Sequence, residues 1–291
     1  MSWVSHVKRT LLIFVALLCA TGAALAQPAP DTLGRIKASR TINVGYSTDS
    51  LPFSFAGPDN KPAGFSIDLC ARVIAAIGQA VAAPDLKVNW IAGTVGERLS
   101  MVKSGKLDLE CANTSRTLSR MRDVDFSSLV FIDTGGFVVR ASPPIARLTD
   151  LNGKKIAVIK GTTTEQRLLG QLKARLVNAE VITVADGSEG MARLENGSAD
   201  AFASDKLKLL GFMAQSKTPD RLSMLPEDLS FEPYAFALPR GDASFRYEVD
   251  RALTQVYASP EIDSIFDRWL GKLGRPTGLL AAMYLLNTIP E

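Results

Sequence analysis

Histidine is nearly absent from the sequence, since His6 is the only one in 291 residues. It lies in an amino-terminal segment that starts with basic residues, continues with an apolar core over residues 11–18 and ends in Ala24-Leu25-Ala26. This order predicts a secretory signal peptide over residues 1–26 and an exported chain that begins at Gln27. The exported chain would contain no histidine, which excludes serine–histidine and cysteine–histidine nucleophile pairs and any metal site built on histidine.

A strong excess of charge of one sign is also missing. The chain has 33 lysines and arginines against 30 aspartates and glutamates, and its net charge of +3 falls by two when the signal peptide is removed. Nucleic-acid binding calls for a clustered basic face, so we expect no nucleic-acid partner. We also expect no cofactor and no metal.

Cysteine is scarce, and only Cys70 and Cys111 follow the signal peptide. Export would place both in an oxidising compartment, where a disulfide is permitted. Their separation in space does not follow from the sequence. Two buried thiols are the alternative that we favour.

What the chain does contain is an alternation of strand-like and helix-like segments. Residues 41–46 and 86–91 have the β-branched and aromatic content of strands, and each is followed by a helical stretch. The fold class is therefore α/β, and the length suits two lobes that each enclose a core. Residues 260–270 form an amphipathic helix. The apolar residues 279–286 are too few to span a bilayer, so we expect them to dock on the protein.

The segment over residues 108–127 has the residues that a small carboxylate requires. Hydroxyl side chains, including that of Ser115, come shortly before Arg120. A guanidinium grips a carboxylate with two parallel hydrogen bonds, and nearby hydroxyl and N–H groups satisfy the remaining lone pairs. The alternative is that Arg120 pairs with Asp123 or Asp125 on an exposed turn.

This segment resembles one protein family. The pattern is a hydroxyl residue, four intervening residues, an arginine and then Val124-Asp125-Phe126-Ser127. Together with "VGYSTDSLPFSF" and "GFSIDL" earlier in the chain, it resembles the periplasmic solute-binding proteins of family 3, in particular their glutamate/aspartate-binding branch.

The resemblance implies a function and a fold. The function is that of a periplasmic receptor that binds an α-amino acid and delivers it to an inner-membrane ABC permease. The fold is a two-lobed type II periplasmic binding protein, which we expect to be a monomer. Lobe 1 would comprise residues 31–139 with 238–291, and lobe 2 residues 140–237, joined by two hinge crossings.

The resemblance also assigns ligand contacts. The α-carboxylate would be bound by Arg120, Ser115 and the turn Thr162, Thr163 and Thr164. The ammonium would be bound by Asp205 and a backbone carbonyl near Asn113. The side chain of the ligand would contact Arg98, Phe65, Ser47 and Asp49.

Four of these assignments have a structural alternative. Arg98 could pair with Glu97, the threonine turn could be a plain helix cap, Asp205 could cap the next helix, and Phe65 could belong to the core.

The sequence also departs from the branch that it resembles. Relatives that bind glutamate and aspartate have a basic residue where this chain has Ser47, and a histidine near the position of Gly187. Both departures weaken glutamate as the ligand, whereas Arg98 keeps it in consideration. The competing hypothesis is an enzyme on the same scaffold, a lyase like cyclohexadienyl dehydratase, with Glu110 as its candidate acid or base.

Overall fold

The computed structural model describes residues 31–290, so the predicted signal peptide over residues 1–26 lies outside the described part. The helices are α1 (Thr32–Ser39), α2 (Phe65–Ala80), α3 (Val95–Lys103), α4 (Thr163–Ala174), α5 (Gly187–Glu195), α6 (Lys206–Gln215), α7 (Ala243–Tyr257), α8 (Glu261–Leu270) and α9 (Gly278–Asn287). The strands are β1 (Thr41–Tyr46), β2 (Asp49–Ser50), β3 (Ser54–Ala56), β4 (Pro62–Ala63), β5 (Lys87–Ala92), β6 (Leu109–Glu110), β7 (Asp125–Arg140), β8 (Lys155–Ile159), β9 (Glu180–Val184), β10 (Ala201–Asp205), β11 (Leu222–Met224) and β12 (Ser230–Leu238).

One sheet runs through the whole of this part of the chain, in the order β5-β1-β6-β12-β7-β10-β8-β9, with β11 also paired to β7. The outer strands pair in parallel, β5 and β6 with β1 on one side, and β9 and β10 with β8 on the other. The central pair, β7 and β12, is antiparallel. Strands β2, β3 and β4 form a small separate sheet. The α/β prediction is confirmed.

Apolar side chains are buried in separate cores at the two ends of the sheet. The first end packs β1 and β6 against α2, α7 and α8, around residues such as Phe53, Val73 and Phe245. The second end packs β8 and β10 against α4, α5 and α6, in two clusters that contain Leu168 and Phe202. We refer to these ends as the first and second lobes. The boundaries at residues 139 and 238 stay predictions, because β7 and β12 run unbroken between the cores.

The carboxyl-terminal helices cover the first lobe. In α8 the side chains of Ile262, Ile265 and Phe266 are buried on one face, as the spacing predicts. Burial of each such side chain stabilises the fold by roughly 1.5–3 kcal/mol. Helix α9 buries Leu280 and Tyr284, so the apolar tail docks on the protein as expected. Across residues 31–290, none of the helices combines the length and apolar character that crossing a bilayer requires.

Strand ends place polar residues close to one another. Ser47 follows β1, Glu110 ends β6, and Asp205 ends β10. Since the carboxyl ends of parallel strands meet at one edge of an open α/β sheet, each lobe presents these side chains on the side where such sheets bind ligands.

A disulfide joins Cys70 in α2 to Cys111, directly after β6. The preference for two buried thiols was therefore wrong. Sequence reasoning could not find the bond because the residues are 41 apart, and only the packing of α2 against the sheet brings their Cα atoms to 6.1 Å.

We expect replacement of both cysteines by alanine to lower the free energy of unfolding by about 2–4 kcal/mol, because a cross-link over a long loop restricts the unfolded chain. Urea unfolding of the double variant and of the oxidised protein measures the difference. Equal free energies of unfolding for the two proteins would contradict the expectation.

Candidate functional site

A cavity of about 360 Å³ lies between the two lobes. This volume falls within the range of small-molecule sites. All of the predicted contact residues except one line it: Ser47, Asp49, Arg98, Asn113, Ser115, Arg120, Thr162, Thr163, Thr164 and Asp205.

Phe65 is the exception. Its side chain is fully buried in the first core, with its ring centroid 5.4 Å from that of Phe131 and 6.2 Å from that of Phe53, and it does not line the cavity. The prediction that Phe65 packs on the ligand is therefore corrected, and the core alternative describes it. The physical reason is that the start of α2 turns this ring inward among other aromatic rings.

Arg120 lies at the cavity and has no carboxylate within 4 Å among residues 31–290. Its Nη1 donates to the carbonyl oxygen of Ser115 over 2.9 Å. Neither acid of the exposed-turn alternative binds it, because Asp123 pairs with Lys103 and Asp125 accepts from the N–H of Gly241. Burial lowers the pKa of Arg120, against the opposing charge of nearby carboxylates. An arginine stays charged under such conditions, so the site holds a cation with unused donors.

Arg98 is buried and forms an ion pair, but not with Glu97. Its Nε lies 2.7 Å from Oε1 of Glu110, which is itself fully buried and also accepts from Thr114. Glu97 instead completes the amino-terminal cap of α3 by accepting from the N–H and hydroxyl of Thr94. The charge of Arg98 is therefore already balanced within the protein.

Asp205 faces the cavity and does not cap α6 with its side chain. One carboxylate oxygen accepts from Nδ2 of Asn113 over 2.8 Å, and the other accepts from the hydroxyl of Thr164 over 3.2 Å. Because Asn113 belongs to the first lobe and Thr164 to the second, this carboxylate links the two.

The threonine turn begins α4. Thr162 caps the helix by accepting from the N–H of Glu165, so the cap alternative holds for this residue. The hydroxyl of Thr163 donates to Glu232 over 2.7 Å. Helix geometry leaves the N–H groups of Thr163 and Thr164 without partners inside the helix, and such groups favour an anion.

Ser47 and Asp49 line the cavity from the segment that follows β1. The hydroxyl of Ser47 donates to Asp49 over 3.0 Å, and the N–H of Gly187, at the start of α5, donates to the same carboxylate over 2.8 Å. Burial acts to raise the pKa of Asp49, but the charge of Lys208 and these hydrogen bonds outweigh it, so the pKa lies below its usual value.

Glu232 was not predicted, although it holds two predicted residues in place. It is buried on β12 and accepts from the hydroxyls of Ser115 and Thr163, one from each lobe. Burial, together with the charge of Asp205, raises its pKa. No spacing in the sequence around Glu232-Pro233-Tyr234 points to a carboxylate turned inward there.

Residues 42–272 match the bacterial extracellular solute-binding proteins, family 3. The chain belongs to this family.

Individual proteins support the assignment. An L-glutamate/L-aspartate-binding protein of Pseudomonas aeruginosa is 35% identical over 268 residues, which cover 92% of this chain and 88% of that protein. A glutamate/aspartate import solute-binding protein of Salmonella typhimurium is 30% identical over 244 residues, covering 84% and 81%. The solved structure of an ancestral arginine-binding protein bound to arginine has a TM-score of 0.72 at 28% identity, covering 79% of this chain and 98% of that one. The type II periplasmic binding fold is confirmed.

Lys208 and Asp186 are among the residues of this solute-binding protein that line the cavity and that sequence reasoning missed. Lys208 lies in the first turn of α6, and Asp186 caps α5. Lys208 carries a signal in the sequence, since a lysine in the first turn of a helix opposes the helix dipole. Glu110, the candidate acid of the enzyme hypothesis, pairs with Arg98 and is not among the cavity-lining residues.

A further buried carboxyl lies where the lobes meet. Asp133 on β7 accepts from the N–H of Leu207 and from the hydroxyl of Tyr234, each over 3.2 Å. Burial, with a contribution from the charge of Asp205, raises the pKa of Asp133 to about 7.

This raised pKa predicts a pH dependence of stability. Between about pH 4 and pH 7 the folded protein keeps a proton on Asp133 that the unfolded chain has lost, so the free energy of unfolding falls as pH rises, by at most about 1.4 kcal/mol per pH unit. Asp133→Asn should remove this contribution. The free energy of unfolding of the variant, taken relative to that of the parent, should therefore be higher at pH 8 than at pH 4. Urea unfolding across the window measures it.

Asp123→Asn, at an exposed carboxylate that pairs with Lys103, serves as the matched control. We expect the control to keep the slope of the parent. An Asp133→Asn variant with the same slope as the parent would contradict the prediction.

Proposed function

We propose that this chain is the periplasmic receptor of an ABC importer and binds an α-amino acid between its lobes, with an acidic or polar side chain favoured. The observation that carries the proposal is that Arg120 and Asp205 line one cavity from different lobes. A cation and an anion so placed match the two charged groups that every α-amino acid carries at neutral pH.

Each end of the amino acid has partners in this proposal. Arg120 binds the α-carboxylate with unused N–H donors, helped by the N–H groups of Thr163 and Thr164 at the start of α4, while the carbonyl oxygen of Ser115 orients the guanidinium. Asp205 and a backbone carbonyl near Asn113 bind the ammonium. Ser47, Asp49 and Arg98 shape the side-chain end.

Ligand binding stabilises the closed arrangement of the lobes. The hydroxyls of Ser115 and Thr163 already donate to Glu232, and Asn113 already donates to Asp205, so protein contacts bridge the lobes on their own. An amino acid held by Arg120 from one lobe and by Asp205 from the other adds contacts that exist only when the lobes are close together. The membrane permease recognises this closed form.

Export and assembly complete the proposal. The amino-terminal signal peptide directs the chain to the periplasm, where the disulfide between Cys70 and Cys111 is stable, and the receptor acts as a monomer.

Arg120→Ala tests the proposal. We expect L-glutamate, L-aspartate or another amino acid in a thermal-shift screen to raise the melting temperature of the parent protein. The variant should lose this rise, because removing one partner of a desolvated ion pair costs roughly 2–5 kcal/mol of binding free energy.

Arg116→Ala is the matched control, since Arg116 lies in the same segment but is exposed and is not among the cavity-lining residues. It should keep the ligand-induced rise. The proposal fails if no amino acid shifts the parent protein, or if Arg120→Ala responds as strongly as the parent does.

A further inference from the structure

Lys208 is a buried cation that faces the cavity. Only 6% of the residue is exposed, and its side chain makes no hydrogen bond and no ion pair with any residue in the range 31–290. A lysine is almost never fully buried unless it is paired. Because its ammonium borders the cavity, the partner that it lacks within the protein can come from a bound molecule.

The position of Lys208 in α6 adds to its cost. The first turn of this helix contains no acidic residue, and the positive end of the helix dipole disfavours a cation there. Lys206, two residues earlier in the same turn, has its charge offset by an ion pair with Asp228. Lys208 has no carboxylate within ion-pair distance among residues 31–290, and only the more distant charge of Asp49 offsets its own at the cavity.

The carboxylates around the cavity are already engaged by protein donors. Asp49 accepts from Ser47 and Gly187, and Asp205 from Asn113 and Thr164. The other lining acids act as helix caps, at Glu97 for α3 and Asp186 for α5.

The cations around the cavity are not all balanced in the same way. Arg98 is paired with Glu110. Lys160 is exposed, so water can solvate it. Arg120 and Lys208 are the remaining cations, and neither has a carboxylate within ion-pair distance among the described residues.

We propose that Lys208 binds the side-chain carboxylate of an acidic amino acid and sets a preference for glutamate or aspartate over their amides. This inference rests on the proposed function. With Arg120 on the α-carboxylate and Asp205 on the ammonium, the cavity then offers two cations and one anion. An acidic amino acid carries the complementary set of two carboxylates and one ammonium.

The location of Lys208 suits the side-chain end of the ligand. Lys208 lines the same cavity as Ser47 and Asp49, and its charge lowers the pKa of Asp49 against the effect of burial. Arg98 was the residue expected to bind a side-chain carboxylate, but its Nε and Nη1 donate to Glu110 and to the carbonyl of Gly93. Relatives that bind glutamate and aspartate have a basic residue at the position of Ser47 and a histidine near that of Gly187, and both residues are uncharged here. Lys208 supplies the positive charge instead.

The test compares L-glutamate with L-glutamine, which has the same shape and a neutral amide, by titration calorimetry. The parent protein should bind L-glutamate at least about 10-fold more tightly. Lys208→Met keeps the length of the side chain and removes its charge. We expect it to weaken L-glutamate binding by about 10- to 100-fold and to change L-glutamine binding by less than about 3-fold.

Lys206→Met is the matched control, because it removes the same charge from the same helix turn away from the cavity, and it should keep the preference. Without ligand, Lys208→Met should still unfold in one cooperative transition near the melting temperature of the parent, since the ammonium forms no hydrogen bond or ion pair with residues 31–290 and acts on Asp49 only through its charge. This separates lost recognition from lost folding.

The outcomes are distinguishable. A parent protein that binds L-glutamine as tightly as L-glutamate overturns the inference without any variant. So does a Lys208→Met variant that keeps the preference of the parent, while the receptor function stands. If the parent binds neither compound and no other amino acid, the proposed function itself fails.

Discussion

Buried carboxyl groups hold the cavity together, because a carboxyl group that has left water must find hydrogen-bond partners. Asp205 and Glu232 find them in side chains from other segments of the chain, whereas Glu110 accepts from Arg98 and Thr114 at Oε1 and has no partner for Oε2 among residues 31–290. Asp205 and Glu232 draw their donors from both lobes, so the same hydrogen bonds that satisfy the charges also set the distance between the lobes.

This requirement changes which groups are free to bind a ligand. Ser115 and Thr163 look in the sequence like donors for a carboxylate, yet their hydroxyl hydrogens are directed to Glu232. A carboxylate in the cavity therefore depends on groups without such commitments, which are the guanidinium of Arg120 and the N–H groups at the start of α4. In the proposed receptor, charge rather than a collection of hydroxyls sets the ligand preference.

Partners within the protein also distinguish three cationic side chains at the cavity. Arg98 is balanced by Glu110, Arg120 is held by the carbonyl of Ser115, and Lys208 is buried without an ion pair or side-chain hydrogen bond among residues 31–290. The relatives match this chain over most of its length. Recognition of the side chain can nevertheless differ within one fold, since it depends on single charges at the edge of the cavity.

Local pattern was sufficient to predict the α/β class, the amphipathic helix α8, the docking of α9 and the placement of nearly every candidate residue at one cavity. These features follow from periodicity, from strand ends and from a family pattern that short segments carry. The exported location and the ligand contacts remain predictions.

Pairings between distant segments were decided only by the tertiary structure. The tertiary structure placed Phe65 in the core. It paired Arg98 with Glu110 instead of the adjacent Glu97, and it joined Cys70 to Cys111. It also turned Glu232 and Lys208 inward. The physical reason is that burial and charge compensation depend on which side chains meet across the fold, whereas the sequence determines only what each segment has to offer.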